Sequence, residues 1–215
     1  MPIPSPYVEL RAHSAFSFGA AATAPETLAA RAAALGYHAL GLTDCADLGG
    51  VVRFALECRR REIKPVVGIE LVVDGHPLAL LARTAEGYRN ISALVTQSRS
   101  GRLERWTKDD APGPNGRRKT SGGAAAPPRG RPAVATSDLL ARTAGTILLS
   151  GPPSGRLATL LRAGKRAEAA RLLGEWRDAS GSDDVVIEVH HHAAGRGEEA
   201  LAAALIDFAE REGAS

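Results

Sequence analysis

Two spacings of apolar residues alternate along the chain. Apolar residues three and four positions apart predict amphipathic helices over 25–35, from 51 onward, and over 85–98, 137–142, 157–163, 167–176 and 198–212. Short apolar runs between them predict strands over 7–10, 39–43, 64–73, 78–82, 146–149 and 185–189. Strands that alternate with helices are typical of the α/β class, in which helices pack on the faces of a sheet.

The strand over 64–73 is almost continuously apolar, as expected for a strand covered on both faces of a parallel sheet. Asp74 and Gly75 predict a turn after it, so that the strand over 78–82 returns beside it. Because strands alternate with helices, the carboxyl ends of the strands are expected to lie on one side of the domain. In α/β sheets and barrels that side carries the chemistry.

The periodicity stops between Gly101 and Ala135, where Gly, Pro, Ala, Ser and basic residues dominate. Such a segment cannot bury enough apolar surface to offset the entropy lost on ordering. A disordered insertion is therefore expected at about 107–135, within a single domain. Its basic tract, Arg117, Arg118 and Lys119, is a candidate contact for nucleic-acid phosphates, and a solvated linker is the alternative.

Composition limits the broad class. The 215 residues carry 27 basic and 24 acidic side chains, and a net charge of +3 is too small to make the whole domain a nucleic-acid binder. Cys45 and Cys58 form neither a CxxC pair nor a secreted disulfide framework, so both are expected to remain thiols. No apolar run reaches the length of about 18 residues that a membrane span needs, which favours a cytoplasmic location. The chain ends at Ser215, where a further strand is expected, so a longer natural protein is predicted.

Polar residues gather at the predicted strand ends: Arg11 with His13, Asp44 with Cys45, Glu70, His76, and the run His190, His191 and His192. The ligands of a multinuclear Zn or Mn site are assembled in this way, because each can come from a different rigid strand. The three consecutive histidines cannot all bind one ion, because adjacent strand residues point to opposite faces. No single spacing in the set is diagnostic.

Six segments, in this order, resemble one family: YVELRAHSAFSF, ALGLTD, VVRFA, KPVVGIEL, PLALLARTAEGYRNISALVT and VVIEVHHH. They look like the N-terminal PHP domain of bacterial C-family DNA polymerases (DNA polymerase III subunit alpha), and most like the error-prone type. The resemblance covers the chain apart from 101–135, and the block from Leu80 to Thr96 is its most specific part. It implies a distorted (βα)7, TIM-like barrel, here without its last strand. It also implies up to three bound metals, with phosphoesterase or proofreading exonuclease activity where every ligand is present.

The ligand motifs that the resemblance implies are only partly present. The opening H-x-H corresponds to Arg11, Ala12 and His13, so the first ligand is replaced and the second is kept. An Asp further along the family's motif corresponds to Ala20. The family's T-D-H ends here in Cys45, whose thiol can bind Zn but suits Mn or Mg poorly.

The remaining family motifs show a similar loss. The glutamate of G-x-E is kept as Glu70. The family's histidine before the L-x-L-L-A strand corresponds to Pro77, and His76 lies one position early, where strand alternation turns it to the other face. The cysteine of S-G-C corresponds to Pro152, and the closing D-x-H falls beyond Ser215.

His13, Glu70 and Cys45 are thus the vestigial metal ligands that the resemblance implies. An alternative role without a metal stays open for each residue. His13 would be a hydrogen-bonded histidine, Glu70 would form an ion pair with Arg11, and Cys45 would be an inert thiol. The guanidinium of Arg11 would repel a divalent cation where the family binds its first metal, and would pair instead with Glu70 or Asp44. The expected cofactor is none, or one residual Zn or Mn ion.

Three functions follow from the resemblance. The first is a structural platform in DNA synthesis and translesion repair, with a degenerate metal site and no catalytic residue of its own. Its partners would be the polymerase body of the same or another chain, DNA, and a translesion protein. The second is a metal-dependent phosphoesterase or 3'-5' exonuclease with a reduced metal cluster. The third is a stand-alone interaction module without enzymatic activity.

Overall fold

The computed structural model describes residues 7–103, 132–190 and 195–214. The helices are α1 (Pro25–Ala34), α2 (Val51–Arg60), α3 (Ala85–Leu103), α4 (Thr136–Leu140), α5 (Arg156–Arg162), α6 (Arg166–Ser180) and α7 (Arg196–Glu212). The strands are β1 (Ala39–Leu42), β2 (Lys64–Val73), β3 (His76–Ala82), β4 (Ala133–Val134), β5 (Thr146–Leu149) and β6 (Val185–Val186). The α/β class predicted from the sequence is confirmed.

Within the described residues, six strands form a sheet in the order β1-β2-β3-β5-β6, with β4 paired to the end of β2. β2 is parallel to β1 and β4, and β5 is parallel to β6, whereas β3 is antiparallel to both β2 and β5. The expectation of a parallel sheet is therefore wrong for β3. The cause is the turn at Asp74 and Gly75, whose φ angles of 45° and 86° return the chain directly beside β2.

The segment before α1 follows the edge of β1 without forming the strand predicted over 7–10. Gly41 donates a backbone hydrogen bond to the carbonyl of Glu9 (2.7 Å), and Ala12 forms an isolated parallel bridge to β1. This close approach requires glycine in β1, because a Cβ at Gly41 would lie 2.5 Å from the carbonyl oxygen of Leu10. The approach brings the N-terminal segment against the sheet.

The sheet has two unlike faces because side chains alternate along each strand. One face packs against α3, α5, α6 and α7 in the main apolar cluster, which includes Ile69, Leu80, Leu148, Trp176 and Phe208. The opposite face, the inner face, carries a small cluster of Ala79, Leu81 and Leu149. A third cluster, around Phe54 and Cys58, joins α1 and α2 to β1. The candidate site lies on the inner face.

Several predicted boundaries differ from those observed, as at the end of β6. β6 ends at Val186, before the predicted end at 189, because the chain then bonds to a neighbouring loop: the amide of Glu188 donates to Ser150 Oγ (2.9 Å). β4 falls within the insertion predicted over 107–135, and the part of that insertion up to residue 131 lies outside the described residues. Among the helices that are described, none is long and apolar enough to cross a membrane.

Candidate functional site

Arg11 lies in the middle of a cluster of charged side chains on the inner face. Its neighbour Ala12 packs against the α1–α2 cluster, so alternation turns Arg11 and His13 the other way. The guanidinium donates from Nη2 to Glu70 Oε2 and from Nη1 to Glu188 Oε2, the latter at 2.7 Å. The three charged side chains are 11–12% exposed. At this burial the two ion pairs are screened less by water than surface pairs are.

Glu70 joins Arg11 to a second group of polar atoms. Cys45, just after β1, forms an isolated bridge with Glu70 of β2, and Cys45 Sγ lies 3.6 Å from Glu70 Oε1. His13 Nε2 lies 3.7 Å from Glu70 Oε2, and this nitrogen is buried without a hydrogen-bond partner. One donor atom from each of His13, Cys45 and Glu70 lies within 4.8 Å of the others.

These three donors suit a single ion of the zinc type. Imidazole nitrogen, thiolate sulfur and carboxylate oxygen are the usual zinc ligands, and three protein ligands leave a position open for water or substrate. The buried Nε2 of His13 supports this fit, since a buried polar atom without a partner is costly unless something binds it. Arg11 competes with an ion, because its guanidinium already bonds to Glu70 Oε2.

Glu188, the second carboxylate bound by Arg11, lies just after β6. It also accepts a hydrogen bond from the amide of Gly151 (2.9 Å), and His190 Nε2 lies 3.6 Å from its Oε1. Burial, the largest single influence, raises the pKa of Glu188, but the hydrogen bonds and the charges of His190 and Arg11 together outweigh it. The pKa of Glu188 is therefore lowered, and the carboxylate is ionised at neutral pH.

Glu188 is a site residue that no sequence motif singles out. The histidines that follow it match a metal-ligand pattern, whereas a glutamate within an apolar run matches none. The alternation of side chains along residues 185–190 does indicate that Glu188 faces the inner side of the sheet. Val185 and Ile187 are buried in the main cluster, which leaves Glu188 and His190 for the inner face.

Asp44 is buried beside this cluster but serves a different set of partners. Its carboxylate accepts hydrogen bonds from the Ser14 amide, the Ser14 hydroxyl and the Ser17 hydroxyl, each at 2.6 Å. Ser17 Oγ in turn accepts a hydrogen bond from the amide of Cys45 (3.0 Å). The expected alternative of Arg11 pairing with Asp44 is therefore not observed, because serine donors already surround that carboxylate. Asp44 fixes the loop before α1 and the position of Cys45.

His76 lies apart from the cluster around Glu70. It pairs in register with Val73, whose side chain is in the main apolar cluster, so the ring lies on the face opposite the inner one, as alternation predicted. Its Nδ1 is 3.3 Å from the carbonyl oxygen of Ser154, and the ring lines a separate cleft next to Trp176. The structure does not bring His76 to the candidate site.

The other predicted residues divide into two groups. His191 and the basic residues Arg117, Arg118 and Lys119 lie outside the described residues, so their roles stay predictions. The two cysteines are not joined in a disulfide, which confirms that they remain thiols. Cys58 is fully buried between α1 and α2, and burial raises the pKa of its thiol to about 11.

The fold and the donor set define a class, the mixed α/β domains with imidazole, thiol and carboxylate groups at strand ends, and solved structures share the fold. A Bifidobacterium adolescentis protein assigned as a metal-dependent phosphoesterase matches with a TM-score of 0.57 and 18% identity, over 96% of this chain and 84% of that one. A Chromobacterium violaceum amidohydrolase matches with a TM-score of 0.59 and 22% identity over the same shares, 96% and 84%. At these identities the likeness shows the fold alone.

Sequence comparison identifies the family. The PHP domain profile matches residues 9–192, so the chain belongs to the PHP domain family. An error-prone DNA polymerase from Symbiobacterium thermophilum is 36% identical over 215 residues, which cover 96% of this chain and 18% of that relative. The chain thus spans less than a fifth of the relative's length. The resemblance to the PHP domain of error-prone C-family polymerases, inferred from the sequence, is confirmed.

Proposed function

We propose that this PHP domain is a structural platform of an error-prone-type DNA polymerase III alpha subunit, in which a built-in cation takes the place of a metal. The observation that carries the proposal is the position of Arg11, whose guanidinium binds Glu70 and Glu188 together. The relative named as an error-prone DNA polymerase supports the link to DNA synthesis.

The guanidinium of Arg11 balances charge where a metal would otherwise do so. Glu70 and Glu188 each give one oxygen to it, so two potential ligand atoms are already hydrogen-bonded. A divalent ion nearby would be repelled by about 4 kcal/mol per unit of its charge at about 4 Å, for an effective dielectric constant of about 20. A multinuclear cluster would therefore have to displace Arg11, which makes the metal site degenerate.

The proposal extends to architecture and partners. A sheet with a polar inner face and helices on its outer side fits a (βα)7, TIM-like barrel, with the closing strand outside the described residues. The platform would hold the polymerase body of the same or another chain, with DNA and a translesion protein as further partners. The support is that this chain matches 18% of the length of a polymerase relative, whose remaining length offers such a body.

Metal content tests the degenerate site. The purified chain is loaded with Zn²⁺ or Mn²⁺, dialysed and analysed for metal, beside Arg11→His and the control Arg53→His, which changes an exposed arginine. Wild type and control are expected to hold less than about one ion per three chains, and Arg11→His to hold more, because a donor replaces the cation. Two or more ions held by each wild-type chain would overturn the proposal.

Primer extension and binding test the platform role. The chain alone is expected to extend no primer, and it should bind a polymerase body that lacks its own PHP region and raise the melting temperature of that body. Extension by the chain alone, or a polymerase body unaffected by it, would contradict the platform.

The second candidate function is a metal-dependent phosphoesterase or 3'-5' exonuclease that uses a single ion. The observation that favours it is the buried, unpartnered Nε2 of His13 beside Cys45 and Glu70. These three residues would hold the ion, which when bound supplies Lewis acidity toward a phosphodiester. Hydrolysis of bis(p-nitrophenyl) phosphate that is abolished by His13→Ala, but not by the control His76→Ala, would favour this function. Hydrolysis at the rate of buffer would exclude it.

A further inference from the structure

α2 presents an apolar pair to solvent that the described fold does not use. Its buried residues are Val51, Phe54 and Cys58, which face the sheet and α1. Val52 and Leu56 are 65% and 55% exposed. A spacing of four residues places them one turn apart on the same side of the helix, and that side is turned away from the buried residues.

Basic side chains continue this side of the helix. Arg59 and Arg60 lie one turn beyond Leu56 and two turns beyond Val52, and both are exposed. Arg60 lies 3.5 Å from Glu57, whereas Arg59 forms no ion pair within the described part of the chain. The two arginines also complement the carboxyl end of the helix dipole, but that role does not account for the exposed apolar pair. We call Val52, Leu56, Arg59 and Arg60 the α2 face.

We propose that the α2 face is a docking surface for an acidic, apolar-bearing segment of the polymerase body; this inference rests on the platform function. Arg59 and Arg60 complement an acidic partner, while Val52 and Leu56 supply the apolar centre that a protein interface contains. The chain matches 18% of the length of the polymerase relative, so most of that protein lies outside the matched part and can supply the partner segment.

Two other occupants fit the α2 face less well. A DNA backbone would be held by the arginines, but it would gain nothing from Val52 and Leu56, and interfaces with DNA are much more positively charged than this one. A second copy of the chain would bring two basic faces together, and like charges across an interface weaken it. The mixture of apolar and basic side chains therefore selects an acidic protein segment.

Binding to a polymerase body tests the docking surface. The probe is the error-prone-type polymerase body of the source organism, produced without its PHP region and titrated with the full chain by calorimetry. Val52→Ser combined with Leu56→Ser is expected to weaken binding at least about tenfold, because apolar residues at the centre of an interface carry much of its affinity. The matched control is Ile206→Ser on α7, which removes a side chain of similar exposure (48%) and should leave the affinity unchanged.

Charge reversal provides an independent arm. Arg59→Glu combined with Arg60→Glu is expected to weaken binding and to reverse its dependence on salt, since attraction becomes repulsion. Circular dichroism should show both double variants folded, because all four positions are exposed.

The other possible binding results separate the docking surface from the platform function. If wild type and the Val52 and Leu56 double variant bind equally, the docking surface is wrong and the platform stands. If wild type does not bind at all, both fail. If the variants lose affinity for duplex DNA but keep their affinity for the polymerase body, the α2 face binds DNA. If the variants lose self-association instead, the α2 face binds a second copy of the chain. Either result would overturn the proposal.

Discussion

Arg11 controls the charge of the inner face through two hydrogen-bonded ion pairs. Buried charges are tolerated when they are paired, and here one guanidinium serves both Glu70 and Glu188. His13 and His190 lie at the outer ends of this row, each within 4 Å of one of the carboxylates. Replacing any of these side chains therefore changes the electrostatic environment of the others.

Replacing Arg11 with alanine is expected to lower the free energy of unfolding by about 3–5 kcal/mol at neutral pH. The reason is that two largely buried carboxylates lose their shared cation. The measurement is urea unfolding, with Arg53→Ala as control. Arg53 pairs with Glu26 while 55% exposed, so its loss should cost less than about 1 kcal/mol. Equal losses in the two variants would show that the inner pairs contribute no more than a surface pair.

The lowered pKa of Glu188 predicts a pH dependence of stability. An acid whose pKa is depressed by folding stabilises the protein fully above its ordinary pKa of 4.5, and this stabilisation is lost as the pH falls through the folded value. Glu188→Gln should therefore be less stable than wild type at neutral pH, and the difference should shrink below about pH 4.5. Urea midpoints measured across this range provide the check. A difference that stays constant with pH would contradict an electrostatic role for Glu188.

Single residues show where sequence reasoning succeeds and where it stops. The ion pair of Arg11 with Glu70 could be predicted as an alternative, because both residues stand at strand ends and one is a cation. The pairing of Glu188 with Arg11 could not, because a glutamate within an apolar run matches no motif and its partner lies far away in sequence. Asp44 belongs to a set of serine donors, and serine hydroxyls leave no pattern in a sequence.

The strands and the turn that joins two of them decide which side chains meet. Asp74 and Gly75 could be recognised as a turn, and they return β3 antiparallel to β2. The general expectation of parallel strands then failed for β3 because a tight turn leaves no length for a crossover. β4 could not be predicted, since two residues carry too little periodicity to be recognised.

Gly41 provides a prediction about β1. Gly41→Ala is expected to lower the free energy of unfolding by about 1–3 kcal/mol, because its Cβ would lie 2.5 Å from the backbone oxygen of Leu10, and backbone cannot move aside cheaply. Gly174→Ala in α6 is the matched control. Nothing lies within 4 Å of a Cβ there, so the variant should be more stable by about 0.5–1 kcal/mol. Thermal unfolding of both variants tests the pair, and a neutral Gly41→Ala would show that the N-terminal segment is not held against β1.

Across the whole molecule, the inner face depends on segments that are far apart in sequence. Arg11 and Glu188 are separated by 177 positions, and they join the N-terminal segment to the chain after β6. Such a contact closes a long loop before it stabilises the chain, so we expect it to form late in folding. The predicted contact of Arg117, Arg118 and Lys119 with phosphates remains a prediction at this scale.

This separation predicts how Glu188 influences folding kinetics. Glu188→Gln is expected to speed unfolding while leaving the folding rate almost unchanged, because a contact made after the transition state affects the unfolding step. Stopped-flow measurements in urea give both rates. A slower folding rate with unchanged unfolding would place the pair in the folding nucleus instead.

The same distance along the chain has a consequence during synthesis on the ribosome. Arg11 is translated first, Glu70 later and Glu188 much later, so there is an interval in which Glu70 has been made and Glu188 has not. During that interval the guanidinium can pair with Glu70 alone, and the second ion pair has to wait for Glu188. At about 5–20 residues per second, protein synthesis makes that interval several seconds long. Chaperones therefore have time to bind a chain in which Arg11 lacks its second carboxylate.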